Sequence, residues 1–283
     1  MQTRSGCERL QALSGFCHTR LKMTLRKALV AALVVSACAT LGVDRTWAQA
    51  ASPSNSASNQ PYNPASNEVL HYSAEWRFVR AGDIEVYNLG GRQTVMKLFS
   101  SGLVSRLFHV EDNYTLTRDE QGCNKSLVFE LTEGRRKRDI RANFDKQRRK
   151  ATYVERDLTR NVVTTPKESD IPGCVYDLTG ALKQLRETYR KPGSSWTLPI
   201  SDGKKTANIR VEAQEKELIR TPLGQFPSTR YEAFVFSGAF YGRKGRLFVW
   251  MTDDERHLPI QLRIQLPFYV GTITLQLEKI ERK

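Results

Sequence analysis

The closest group of titratable side chains in the sequence is Asp253, Asp254, Glu255 and His257. Carboxylates and an imidazole at such spacing could bind a divalent cation or exchange a proton. They also fall between two apolar runs, 247–251 and 260–264, where a hairpin requires polar turn residues. The turn is the simpler account, so a hydrolase using Asp253, Asp254 and His257 is the weakest of the functional readings. His71 and His109 stand alone on strand-like runs without ligand-like neighbours.

A second feature is cationic. Arg135, Arg136, Lys137, Arg138 and Arg141 are followed by Lys146, Arg148, Arg149 and Lys150. On a strand, Arg138, Ile140, Ala142 and Phe144 share one face and Lys137, Asp139, Arg141 and Asn143 the other. The run could bind an anion, or it could be a solvated outer face that blunts edge pairing. No aromatic residue interleaves with the basic ones at its centre, which argues against base stacking and hence against nucleic acid. The sequence contains no Gly-x-Ser-x-Gly, His-Glu-x-x-His, phosphate-loop or Gly-x-Gly-x-x-Gly pattern. It therefore names no catalytic residue, no cofactor and no metal site.

The segments that must position these residues begin with an export signal. Met23, a credible start, opens a basic stretch, Arg26-Lys27; an apolar run over 28–43 follows, and Ala48-Gln49-Ala50 closes it. This is the order of a secretory signal, and the run meets Asp44 and Arg45 before reaching the ~20 apolar residues of a membrane span. Val35-Ser36-Ala37-Cys38 competes as a lipoprotein cleavage box, which would make Cys38 the lipidated residue. Residues 51–66 hold three prolines and little to bury, as a polar linker would. Residues 67–283 then form one domain. The chain carries 44 basic and 30 acidic residues; the first fifty hold seven and two of them, which leaves 37 against 28, or +9, beyond Ala50. Such a charge suits anionic partners without choosing among them.

Two cysteines lie beyond the export segment, Cys123 and Cys174, each among turn-forming residues. In an oxidising compartment an isolated pair forms a disulfide more often than a metal site or redox couple. Closing a loop of about 50 residues would contribute about 4 kcal/mol in the chain-entropy account. Two separate buried thiols are the alternative.

From Glu68 the apolar period is two. Strand-like runs follow at 83–89, 94–101, 106–117, 126–132, 138–144 and 151–155, and after an interruption at 195–200, 206–217, 224–236, 246–252, 259–266 and 270–278. Turn residues separate them, among them Ala81-Gly82-Asp83, so neighbours should pair antiparallel. The interruption is helical: Cys174, Leu178, Ala181, Leu182, Leu185 and Tyr189 share a face, Asp177 can cap, and Lys191-Pro192-Gly193 stops it. Lys183, Gln184, Arg186 and Glu187 take the other face. The fold class is mainly β, a large antiparallel curled sheet or incomplete β-barrel with one principal helix.

Four stretches resemble the bacterial DUF3108 family of exported proteins. They are Ala81-Gly82 after an aromatic strand; Asp170-Ile171-Pro172-Gly173-Cys174-Val175-Tyr176-Asp177; Thr221-Pro222-Leu223-Gly224-Gln225-Phe226; and Val249 through Ile260, followed by Gly271-Thr272-Ile273-Thr274. The resemblance implies a β-rich envelope domain and brings no catalytic residues. Export, a many-stranded curled sheet and a basic surface together lead to the expectation that the domain binds a lipid, lipopolysaccharide or other anionic envelope component in the periplasm or at the outer membrane. The alternative is an assembly partner for envelope proteins.

Overall fold

The computed structural model describes residues 68–235, 245–267 and 271–282; the export and linker segments, with Cys38, lie outside them. The first meander runs β1 (Glu68–Trp76), β2 (Val79–Tyr87), β3 (Gln93–Ser100), the short helix α1 (Gly102–Leu107), β4 (Val110–Arg118), β5 (Asn124–Glu133), β6 (Arg136–Asp145), β7 (Lys150–Asp157), β8 (Val162–Val163) and β9 (Lys167–Asp170). Helix α2 (Leu178–Glu187) precedes the second: β10 (Ser195–Ser201), β11 (Thr206–Thr221), β12 (Gly224–Ala233), β13 (Arg246–Thr252), β14 (Pro259–Gln265) and β15 (Thr272–Arg282). Strand β15 pairs antiparallel with β1 from Glu68↔Arg282 to Trp76↔Ile273, which joins the two meanders into one 15-stranded sheet.

The sheet curls but does not close by strand pairing. Its terminal strands are β10 at one edge and β8 with β9, both on β7, at the other. The segment between β9 and α2 spans part of the seam. Asn124 N donates to Val175 O at 2.8 Å, Tyr176 N to Pro199 O at 2.9 Å, and Ser201 N to Tyr176 O at 2.9 Å. The Cys123–Cys174 disulfide fixes that segment to the start of β5. The β10–β11 turn reaches across so far that a Cβ at Gly203 would lie 2.3 Å from the Ala142 Cβ on β6. With φ at +87°, this position needs glycine on both counts.

Alternation gives the register its meaning, because a one-residue slip would expose the core face. Leu116, Leu127, Ala142 and Tyr153 stand opposite one another across β4–β7, and Tyr114, Phe129 and Ile140 form the next row. These rows, with Ile171 and Val175, make one apolar cluster. A second joins Leu70, Tyr72, Ile84 and Val86 to Ile260 and Leu277. The third lies beneath α2, between Leu185 and strands β10–β13.

Helix α2 is held at both ends by buried charge. Asp177 caps it, accepting from Thr179 N at 2.7 Å and Gly180 N at 3.0 Å. The same carboxylate meets Arg118 of β4 at 3.3 Å. Near the other end Arg186 grips Glu68 with two bonds of 2.6 and 3.1 Å.

Three expectations need correction. Ala81-Gly82-Asp83 is not a turn but the interior of β2; the turn is Arg77-Phe78, and a Cβ at Gly82 would come within 2.3 Å of the Phe99 carbonyl on β3. Glycine there permits close backbone approach. The strand expected over 106–117 begins only at Val110, since 102–107 is helix α1, which buries nothing. Arg186, expected on the solvated face of α2, is buried, and Leu178 and Tyr189 of the expected apolar stripe are exposed.

Candidate binding face

In an antiparallel meander, alternate connections lie at the same end of the sheet. Four of them, 77–78, 101–109, 134–135 and 158–161, follow one another along the rim of β1–β8, and with the adjoining strand ends they make the stretches 77–79, 101–109, 134–137 and 158–163. Among these residues eight large apolar side chains are exposed: Phe78, Val79, Leu103, Leu107, Phe108, Leu158, Val162 and Val163. The same four stretches hold six basic residues, Arg77, Arg106, Arg135, Arg136, Lys137 and Arg160, and no acidic one. Glu133 and Asp157 flank them but are engaged, by Arg138 at 2.6 Å and Arg136 at 3.6 Å.

Local structure displays these groups. Arg77 and Phe78 form a two-residue turn with φ of +50° and +68°, a region that favours glycine or asparagine. Two bulky residues there carry strain of about 1–2 kcal/mol each, and Phe78 is fully exposed. In α1, Leu103 and Leu107 are four residues apart, one helical turn, and both face solvent. Phe108 then lies against Gly134, linking the second tip to the third.

The opposite end differs in charge. It carries Asp119, Glu120, Asp253, Asp254 and Glu255 alongside Lys146, Arg148, Arg149 and Arg190.

The cationic run of the sequence is divided by this geometry. Strand β6 is ten residues long, about 30 Å at a rise of ~3.3 Å, so Arg135, Arg136 and Lys137 stand at the apolar rim and Arg148 and Arg149 at the far end. Between them Arg138 pairs with Glu133 and Glu155, and Arg141 with Asp139.

Residues 253–257 do form the β13–β14 connection. Asp253 accepts from Thr229 Oγ1 at 2.6 Å and meets Lys216 at 3.0 Å. Asp254 accepts from Thr252 Oγ1 at 2.6 Å and from Arg256. Burial pushes its carboxyl up, but these hydrogen bonds outweigh burial and hold it below the usual range. His257 Nδ1 lies 3.0 Å from Arg186 O, which can only accept, and its ring stacks on Tyr189. Asp253, Asp254 and His257 are thus engaged with different partners. His71 lies between Glu85 and Glu281, and His109 beside Glu111. Among the described residues no three His, Cys, Asp or Glu side chains are grouped to hold a metal ion.

The three apolar clusters are formed by buried side chains of the strands, with Leu185 of α2 in one of them. Two of the clefts formed by the described residues open at the surface. One, of about 400 Å³, is lined by Lys97, Asp112, Asn113, Glu130, Lys137 and Arg138 among others. The other, of about 150 Å³, has Arg230 and Arg246 against Phe248 and Arg263 over Trp250. Arg230 and Arg246 are paired with Glu217 and Glu232. Neither is an enclosed apolar chamber.

Among solved structures, the fold is similar to a β-barrel-like protein of the DUF1849 domain from Brucella abortus. The two share 10% identity with a TM-score of 0.51, over 77% of this chain and 98% of that one. A DUF1089 family protein from Pseudomonas aeruginosa matches with a TM-score of 0.32 at 14% identity, over 81% of this chain and 99% of that one. No curated protein matches the sequence. The family described as a protein of unknown function, DUF3108, matches over residues 71–278, and the chain belongs to that family.

Proposed function

We propose that this is an exported cell-envelope β domain that works by binding, and that it engages an anionic, amphiphilic envelope component through the rim of hairpin tips. The observation that carries the reading is the combination at that rim: eight exposed apolar side chains and six cations with no acid among them. Exposed apolar groups gathered at one place mark interaction sites, and an excess of cations over acids there favours an anionic partner. Export rests on the signal-like order of residues 23–50 and agrees with the Cys123–Cys174 disulfide, a bond that persists in oxidising compartments.

Photo-crosslinking in the native cell tests this. A photoreactive residue in place of Phe78 should capture an envelope lipid, glycolipid or other anionic component, whereas one in place of Glu120 at the opposite end should not. Capture only at position 120 would refute the reading. The open edge at β8 and β9, with Val162 and Val163 exposed, favours a second reading, an assembly partner that adds a strand there. Recovery of a protein adduct from position 163 alone would favour it.

A further inference from the structure

The geometry points to a specific occupant of the rim: a bilayer leaflet bearing anionic headgroups, on which the protein docks peripherally with Phe78, Leu103 and Leu107 in the interface. This inference rests on the binding reading above and names its partner class.

Three observations favour a lipid surface over a folded protein. First, the apolar side chains come from different hairpin tips: Phe78 and Val79 from the first, Leu103, Leu107 and Phe108 from the second, and Leu158, Val162 and Val163 from the fourth. A rigid partner would need a matching hollow for each, whereas a fluid leaflet accommodates them independently. Second, each tip carries its own cations. Arg77 adjoins Phe78, Arg106 adjoins Leu107, Arg135–Lys137 follow Gly134, and Arg160 lies between Leu158 and Val162. Apolar insertion with cations at headgroup level is the pattern of interfacial binding. Third, the Arg77-Phe78 turn sacrifices local conformational preference to project a fully exposed aromatic ring. Strain retained at a surface position signals a role other than stability.

Spanning is disfavoured by charge on the outer face of the sheet. Lys137, Asp139 and Arg141 alternate along β6 on the face away from the apolar cluster. Charges in that position are destabilising opposite lipid tails. Among the described residues no helix is long and apolar enough to cross a membrane.

The experiment is vesicle co-sedimentation of the protein as purified from its native envelope. One set of vesicles is phosphatidylcholine alone, and the other phosphatidylcholine with phosphatidylglycerol. Soluble polyphosphate serves as a lipid-free polyanion. The expected result is binding to the anionic vesicles at least about tenfold tighter than to the neutral ones, weakening as salt is raised. Phe78→Gly should reduce vesicle binding severalfold while keeping or raising the melting temperature, since it relieves the strained turn. Arg135→Glu/Arg160→Glu should reduce it about tenfold or more, and Arg148→Glu/Arg149→Glu, the same charge change at the far end, should leave it within about twofold.

Vesicle binding unchanged by the rim variants would overturn the inference, because the attachment would then lie elsewhere in the chain. Rim-dependent binding to polyphosphate without binding to vesicles would overturn the lipid occupant and leave the anionic binding reading standing. Binding to neither would overturn both.

Discussion

The most informative perturbation of the fold is the buried ion pair between β1 and α2. The Arg186 and Glu68 side chains are 2% and 6% accessible, and two hydrogen bonds of 2.6 and 3.1 Å join them. Burial pushes the Glu68 carboxyl up, against the pull of Arg282 and Arg256. Burial, with repulsion from Arg256, pulls Arg186 down to about 10. That value still leaves the guanidinium charged at neutral pH, and the two-bond geometry holds its partner as a carboxylate. Replacing Glu68 alone with Leu strands a buried cation, which costs about 3–5 kcal/mol. Arg186→Leu strands the carboxylate and also removes the 3.1 Å bond from Arg186 Nε to Arg256 O. The double variant Glu68→Leu/Arg186→Leu removes both charges and should recover most of the loss, short of about 1 kcal/mol for the orphaned carbonyl. The assay is urea unfolding at pH 7. With a slope near 3 kcal/mol per molar, each single variant should lower the midpoint by about 1–2 M, and the double by much less than their sum. Single variants costing under about 1 kcal/mol, in the range of solvent-exposed pairs, would refute the argument that this pair is desolvated and pins α2.

Two further outcomes follow from particular contacts. Gly203→Ala should lower the melting temperature by more than Gly193→Ala: both have φ near +85°, but only at 203 does the new Cβ meet another atom, Ala142 at 2.3 Å. Equal losses would mean that the β10–β11 turn does not rest on β6. Glu232 is held below its usual 4.5, chiefly by the Arg246 hydrogen bond. Its contribution is present above pH ~4.5, the unfolded value, and is lost as pH falls through the lower folded one. Glu232→Gln should therefore flatten the acid limb of stability measured between pH 7 and 3, and an unchanged limb would contradict the pairing.

Much of this fold is legible in the sequence because its signals are local. The period-two runs and their turn residues gave most strands to within a few positions, and Asp177 was readable as a cap. The failures share a cause. Gly82 looks like punctuation until β3 is placed beside it, and Arg186 looks solvated until Glu68, 118 residues away, is brought beneath it. Segment 102–107 is so short and so exposed that its helix leaves no periodic core signal. The binding face was legible only in part. Arg135, Arg136 and Lys137 stood out as a basic run, but their apolar companions Phe78, Leu103 and Leu158 are separated from them in sequence by whole hairpins. Only the meander topology brings those tips to one rim, and it removes Arg148 and Arg149 to the other end.

The central claim, that this rim is the working surface, is tested most directly by amide hydrogen exchange of the protein with and without anionic vesicles. Slowed exchange confined to 77–79, 101–109, 134–137 and 158–163 is the predicted result. Protection concentrated instead at 119–122 and 253–258, the opposite end of the sheet, would contradict it.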